Sequence, residues 1–278
     1  SPESYSQMYH QMWILGYRSP FAEPTFYKWA HSYVKIWERM INGFRVHDYS
    51  NGIQEKIMAE IKPYMISYTQ NEAGFTSKVN EHVLKVRMSD TTYRIADKLK
   101  RDLLFEGKDD LILADTPVKL MQKLHQIYSG TVILESGKSI VLDKTKAEFI
   151  KERFAGKRIA VFYKFQEELK CLLSVFQEDM TTDLGKFHAG DCNNFAIQIV
   201  TGREGISLKE ADFLVYYNID FSATSYWQSR DRLTTMDRLE NNVYWIFAED
   251  GIEEKIYKVV QQKRPYTLQH FKKDLLSL

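Results

Sequence analysis

Cysteine is almost missing from this chain. Cys171 and Cys192 are the two in 278 residues, and they show neither the framework of a small secreted domain nor a metal-ligand spacing. That excludes a disulfide scaffold and a thiolate zinc site, and it points to a reducing, cytoplasmic setting. No apolar run approaches the roughly 18–20 residues of a membrane span. The opening stretch SPESYSQMYHQMW has no basic start and no apolar core, so it does not read as a signal peptide. It also lacks an initiator Met, which leads us to expect a fragment of something longer. Charge of one sign is not in excess: 38 basic residues face 37 acidic ones, a formal charge of +1. Any nucleic-acid contact must therefore come from a local cleft. The 7 histidines are scattered without paired ligand spacing, and no metal site is assigned.

A phosphate-binding loop is missing too. Ser136-Gly137-Lys138-Ser139 mimics the end of one, but the glycine needed five positions before Gly137 is replaced by Val132. Strand-like residues flank it on both sides, where a phosphate loop runs from strand into helix. A hairpin turn is the better reading, and no acidic box follows any strand. Nor is there a dinucleotide fingerprint or an acidic metal pair, as a small-molecule enzyme on a doubly wound sheet would need.

What is present is a 44% apolar chain long enough to bury a substantial core. Residues 4–41 carry aromatics at helical spacing, broken by Gly16, Pro20 and Pro24, and predict two helices joined by a turn. Their tryptophans (Trp13, Trp29, Trp37) read as interdomain packing more readily than as stacking platforms. A helix is expected near Gly52–Ile61, then a polar connector. From His82 the pattern changes. Ser89 caps a helix running to about Phe105, and Thr116 before Pro117 starts another to about Tyr128. The run TVILESGKSIVLD reads as a hairpin. Apolar strands at Arg158–Tyr163, Phe195–Val200, Phe213–Tyr217 and Val243–Phe247 then alternate with helices near Gln166–Phe176, Tyr226 and Ile252–Gln262. Near-continuous apolar strands between helices imply an α/β fold with a central parallel sheet covered on both faces. The expected domains are a helical appendage with its connector over 1–80 and the α/β domain over 81–278.

Three segments carry candidate chemistry. The loop Thr201-Gly202-Arg203-Glu204-Gly205-Ile206-Ser207 follows a buried strand at the end where open α/β sheets bind ligands, and its glycines permit close approach of backbone amides to a phosphate. Taken alone, two glycines in a turn are more often structural than functional. Gln228 and Arg232 stand at i and i+4 on a helix, with Arg230 between them and Arg238 beyond. A guanidinium there suits the charge of a transferring phosphoryl group, and the alternative is a solvated helix with Arg–Asp pairs. Lys164 and Phe165 close a strand at the same sheet end, where a cation and a ring can meet a nucleic-acid backbone or simply cap and pack.

In this order, over about residues 82–264, the segments resemble the C-terminal half of superfamily 2 helicases, specifically the Swi/Snf-like translocases, including short phage and bacterial members. KRIAVFYKFQEEL resembles that family's motif IV. TGREGISLKEADFLVYYN resembles motif V, with Ser207 in place of the usual Asn. YWQSRDRL resembles the opening of motif VI, with Thr235 where the family has its second arginine. SPESYSQMYHQMWILG is similar to the stretch just beyond motif III.

The resemblance implies a RecA-like three-layer second lobe with a helical N-terminal appendage, from a parent that is an ATP-dependent translocase or helicase on double-stranded DNA. ATP and Mg²⁺ would be held mainly by the first lobe of the same polypeptide, which this chain lacks, so the chain alone is expected to be inactive. It assigns Arg232, with Arg230 or Arg238, to transition-state charge. Gly205, Ser207 and Gln228 would face the nucleotide, and Lys164, Phe165, Thr201, Gly202 and Arg203 the nucleic acid. The alternative is a catalytically inert module that binds nucleic acid or protein on the same fold.

Overall fold

The computed structural model describes residues 4–41, 44–66, 78–107, 110–202, 205–233 and 239–276. They group into two units, residues 1–73 and 74–278.

In the first unit, helices α1 (Met8–Trp13) and α2 (Phe26–Tyr33) flank the Pro-bearing turn, and the Thr25 hydroxyl caps α2 by accepting from the Lys28 N–H. The predicted second helix stops there. Strand β1 (Trp37–Ile41) pairs antiparallel with β2 (Phe44–Asp48), so the expectation of helix as far as residue 41 is corrected to a hairpin. Helix α3 (Gln54–Ile61) follows as expected. Trp29 is fully buried among Tyr9, Phe21, Tyr33, Ile57 and Ile61. It is core of this unit, not an interdomain contact. Trp13 and Trp37 are exposed.

The second unit opens with β3 (Lys78–Val86) and α4 (Asp90–Asp102), whose cap is Ser89 as expected. The helix ends where Leu103 takes a left-handed conformation (φ 57°), turning the chain into the hairpin β4 (Leu104–Glu106) and β5 (Leu111–Leu113). Thr116 caps α5 (Pro117–Tyr128). The SGKS segment is the turn between β6 (Thr131–Ile133) and β7 (Ser139–Val141), with Gly137 at φ +83°. It is a hairpin. Helix α6 (Thr145–Arg153), β8 (Ile159–Tyr163), α7 (Gln166–Phe176), β9 (Met180–Thr181), α8 (Leu184–Ala189), β10 (Asn194–Gln198) and the short α9 (Ile199–Gly202) come next. The chain closes with β11 (Phe213–Tyr216), α10 (Ala223–Arg230), β12 (Glu240–Ala248), α11 (Glu253–Val260) and α12 (Leu268–Leu276).

Strands β3-β12-β11-β8-β10-β9 form one sheet in that order, every pairing parallel. Each face is covered. Phe162, Tyr216, Trp245 and Phe247 look into one apolar cluster, while Val161, Tyr163, Val215, Tyr217 and Ile246 look into the other. Adjacent residues pointing to opposite faces, both buried, explain why these strands read as unbroken apolar runs. The expected three-layer α/β architecture is the one found.

Parallel pairing puts the ends of β8, β10 and β11 at one rim. The residues leaving that rim (Lys164, the 199–202 helix, Asn218 and Asp220) are therefore neighbours by topology.

Candidate nucleotide and nucleic-acid interface

Ile199 and Val200 continue the apolar run of β10, yet the chain coils into a short helix there. Gly202 is the reason it fits. A Cβ on Gly202 would stand 2.3 Å from the ring of Phe162 and 3.0 Å from Ile197, so only glycine lets this turn lie against β8. Gly205 is different: it is exposed, its φ is +70°, and nothing lies within 4 Å of where its Cβ would be. The first glycine is needed for packing, the second for backbone conformation. Thr201 and Ser207 are exposed. Arg203 lies outside the described residues.

From Gly202 the chain returns across the face held by the larger apolar cluster, where Leu208 and Ala211 are buried, to start β11. On that crossing the Leu208 N–H donates to the Arg232 carbonyl at 3.3 Å. The glycine loop and the arginine segment, 24 residues apart in sequence (232 minus 208), thus meet. The Ser207 carbonyl accepts from His188 Nε2 at 3.1 Å, and the same nitrogen lies 3.4 Å from Glu210. Arg232 is half-buried and is followed by Leu233, which is fully buried. Gln228 is exposed on α10. Arg238 and Thr235 lie outside the described residues.

Arg230 is engaged differently. Its Nη1 sits 2.7 Å from Glu81 of β3, and its guanidinium lies 4.3 Å over the Trp227 ring. Glu81 also accepts from Tyr226 at 2.7 and 2.8 Å, from Trp245 Nε1 at 2.9 Å and from Tyr257 at 3.0 Å. Burial, with the Glu81 charge next, pushes the Tyr226 hydroxyl up to about 12 and the Tyr257 hydroxyl up as well. Both phenols stay protonated donors at neutral pH. Sequence reading missed Glu81 because a lone carboxylate in a strand carries no motif.

At the strand rim Lys164 pairs with Asp220, its ammonium 4.9 Å over the Phe221 ring and 5.8 Å over Phe165. The backbone N–H groups of Lys164 and Phe165 donate to Glu168 at 2.7 and 3.0 Å, and Gln198 donates to the Lys164 carbonyl at 3.0 Å. Behind this turn Glu168 accepts from Asn218 at 2.5 Å, and His125 Nε2 lies 2.6 Å from Asn218, all three buried. Burial, then the Lys164 charge, lowers the His125 pKa well below its ordinary value, so it is neutral. The rim thus presents a cation and two rings on a turn fixed from beneath. Among the described residues no group of three His, Cys, Asp or Glu could hold a metal ion, and no helix is long and apolar enough to cross a membrane.

No family model matches the chain. A curated relative in Drosophila melanogaster is the "SWI/SNF-related matrix-associated actin-dependent regulator of chromatin subfamily A containing DEAD/H box 1 homolog". It is 28% identical over 181 residues, covering 55% of this chain and 20% of that protein. The chain therefore matches about a fifth of its length. Among solved structures, the crystal structure of the C-terminal part of the Fun30 ATPase domain superposes with a TM-score of 0.51 at 14% identity, over 70% of this chain and 92% of that one. At that identity the superposition speaks for the fold. In sequence and in fold, this chain resembles the C-terminal RecA-like lobe of the Swi/Snf-like branch of helicase superfamily 2.

Proposed function

We propose that this chain is the second lobe of an ATP-dependent DNA translocase or helicase, acting with a first lobe of the same polypeptide that carries the phosphate loop and the Mg²⁺ ligands. The observation that carries this reading is the Leu208–Arg232 backbone bond, which holds the glycine loop and the arginine segment together. The residue set suits a triphosphate: an exposed glycine at Gly205, an exposed carboxamide at Gln228 and a guanidinium at Arg232. Arg232 would stabilise the charge that develops on the transferring phosphoryl group, while Gly205, Ser207 and Gln228 orient the nucleotide.

Lys164, Phe165, Thr201, Gly202 and Arg203 would face double-stranded DNA, the lysine sharing its charge between Asp220 and a phosphate. Closure of the two lobes on ATP, and opening after hydrolysis, would step the lobes along the duplex. Alone, the chain would not turn ATP over.

The test is DNA-stimulated ATP hydrolysis by the protein carrying both lobes, with and without Arg232→Ala. A loss of turnover on the order of 10³–10⁵ is expected; equal rates would remove the assignment. The commitment of Arg230 to Glu81 favours a second reading, an inert DNA- or protein-binding module. That reading predicts DNA binding with no stimulated hydrolysis in the two-lobe protein.

A further inference from the structure

We infer that Glu81 is a positioning residue for the arginine segment: through Arg230, at the end of helix α10, it sets where Arg232 stands. The inference rests on the proposed role of Arg232.

Glu81 gathers donors from separate elements: Tyr226 and Arg230 from α10, Trp245 from β12 and Tyr257 from α11. Its Oε1 takes Tyr226 and Arg230, and its Oε2 takes Tyr226, Trp245 and Tyr257. A carboxylate offers about four lone-pair sites. This one is filled by the protein itself, with a side chain 13% exposed, and has no capacity left for a ligand. The same contacts argue against a surface ion pair that could be deleted without consequence. The rings around it are locked, Tyr226 stacked on Trp245 at 5.3 Å and Trp245 on Tyr216 at 3.8 Å.

Arg230 is the last residue of α10, and Arg232 is two residues on. The Arg232 main chain is therefore held on one side by the Glu81 cluster through Arg230, on another by the Leu208 amide, and beneath by buried Leu233. Releasing the first of these lets the guanidinium drift. A misplacement of about 1 Å at a reacting centre costs on the order of a hundredfold.

The experiment is a double-mutant cycle in the two-lobe protein, read by single-turnover hydrolysis of bound ATP in the presence of duplex DNA. Glu81→Gln keeps the size of the side chain but replaces one acceptor oxygen with a donor. It is expected to slow hydrolysis by about ten- to a hundredfold, with KM for ATP and DNA affinity within about twofold of the parent. In an Arg232→Ala background the same change should have no further effect, because the group it positions is gone. If Glu81→Gln prevents folding, Glu81→Asp enters the cycle in its place.

An undiminished rate in the folded Glu81 variant overturns the inference. So does an equal loss in both backgrounds, which would make Glu81 structural only. If Arg232→Ala alone is severe while the Glu81 effect persists beside it, this inference fails and the proposed function stands. If Arg232→Ala alone is silent, both fall.

Discussion

Gly202 and Phe162 fit together so closely that the glycine hydrogen faces the aromatic ring where any side chain would collide: an added Cβ would lie 2.3 Å from the ring carbon. The loop that follows leads into β11, and on the way its Leu208 N–H meets the Arg232 carbonyl.

Gly202→Ala is accordingly expected to destabilise the second unit by about 1–3 kcal/mol, the usual cost of overpacking. Gly205→Ala meets no neighbour and carries only the left-handed backbone penalty, about 1–2 kcal/mol. Urea unfolding separates them when Phe162→Leu is added. The smaller, flexible side chain should relieve much of the Gly202→Ala penalty and none of the Gly205→Ala penalty. Relief of neither would contradict the steric account.

Lys146 and Glu253 form a fully buried ion pair at 2.6 Å, with the lysine also donating to the Tyr217 carbonyl at 3.4 Å. Lys146→Met strands a carboxylate in the core and should cost about 3–5 kcal/mol. The double change Lys146→Met with Glu253→Leu removes both charges and should be markedly less destabilised than the single one. Chemical denaturation of the three proteins decides it, and a double variant no better than Lys146→Met would contradict the reading.

Asp143 supplies a pH signature. Burial alone would raise its pKa, but the hydroxyl and N–H of Thr145, the Thr92 hydroxyl and the Ser89 N–H all donate to it and hold it at about 2. Because the folded value lies below the unfolded value of about 3.9, the stabilisation is complete above that value and is lost as pH falls towards 2. Asp143→Asn should therefore be less stable by roughly 1–2 kcal/mol at pH 7, with the gap narrowing between about pH 4 and pH 2. A gap unchanged by acid would show that the carboxylate charge contributes nothing.

Legibility in the sequence follows how local the determinant is. The caps at Ser89 and Thr116 and the apolar strands at 159–163 and 213–216 are fixed by neighbours in the chain, and all were readable. The hairpin of β1 and β2 was not: Glu38, Met40 and Arg45 are poor strand formers, and their pairing is set by the partner strand. Leu104 and Phe105 continued the apolar face of α4, so the left-handed turn at Leu103 went unseen. Val200 read as strand because the close packing that goes with the short helix, Gly202 against the Phe162 ring, joins residues 40 positions apart (202 minus 162). Candidate residues with a motif (Gly205, Gln228, Arg232) could be named in advance. Glu81 could not, since its partners lie 145 to 176 residues away.

The account comes down to where one guanidinium points when fuel is bound. A structure of the two-lobe protein with duplex DNA, ADP, Mg²⁺ and aluminium fluoride would measure it. The account predicts Arg232 within about 3 Å of the fluoride, with Glu81 still holding Arg230. Arg232 turned away from the nucleotide in a closed, DNA-bound complex would contradict it.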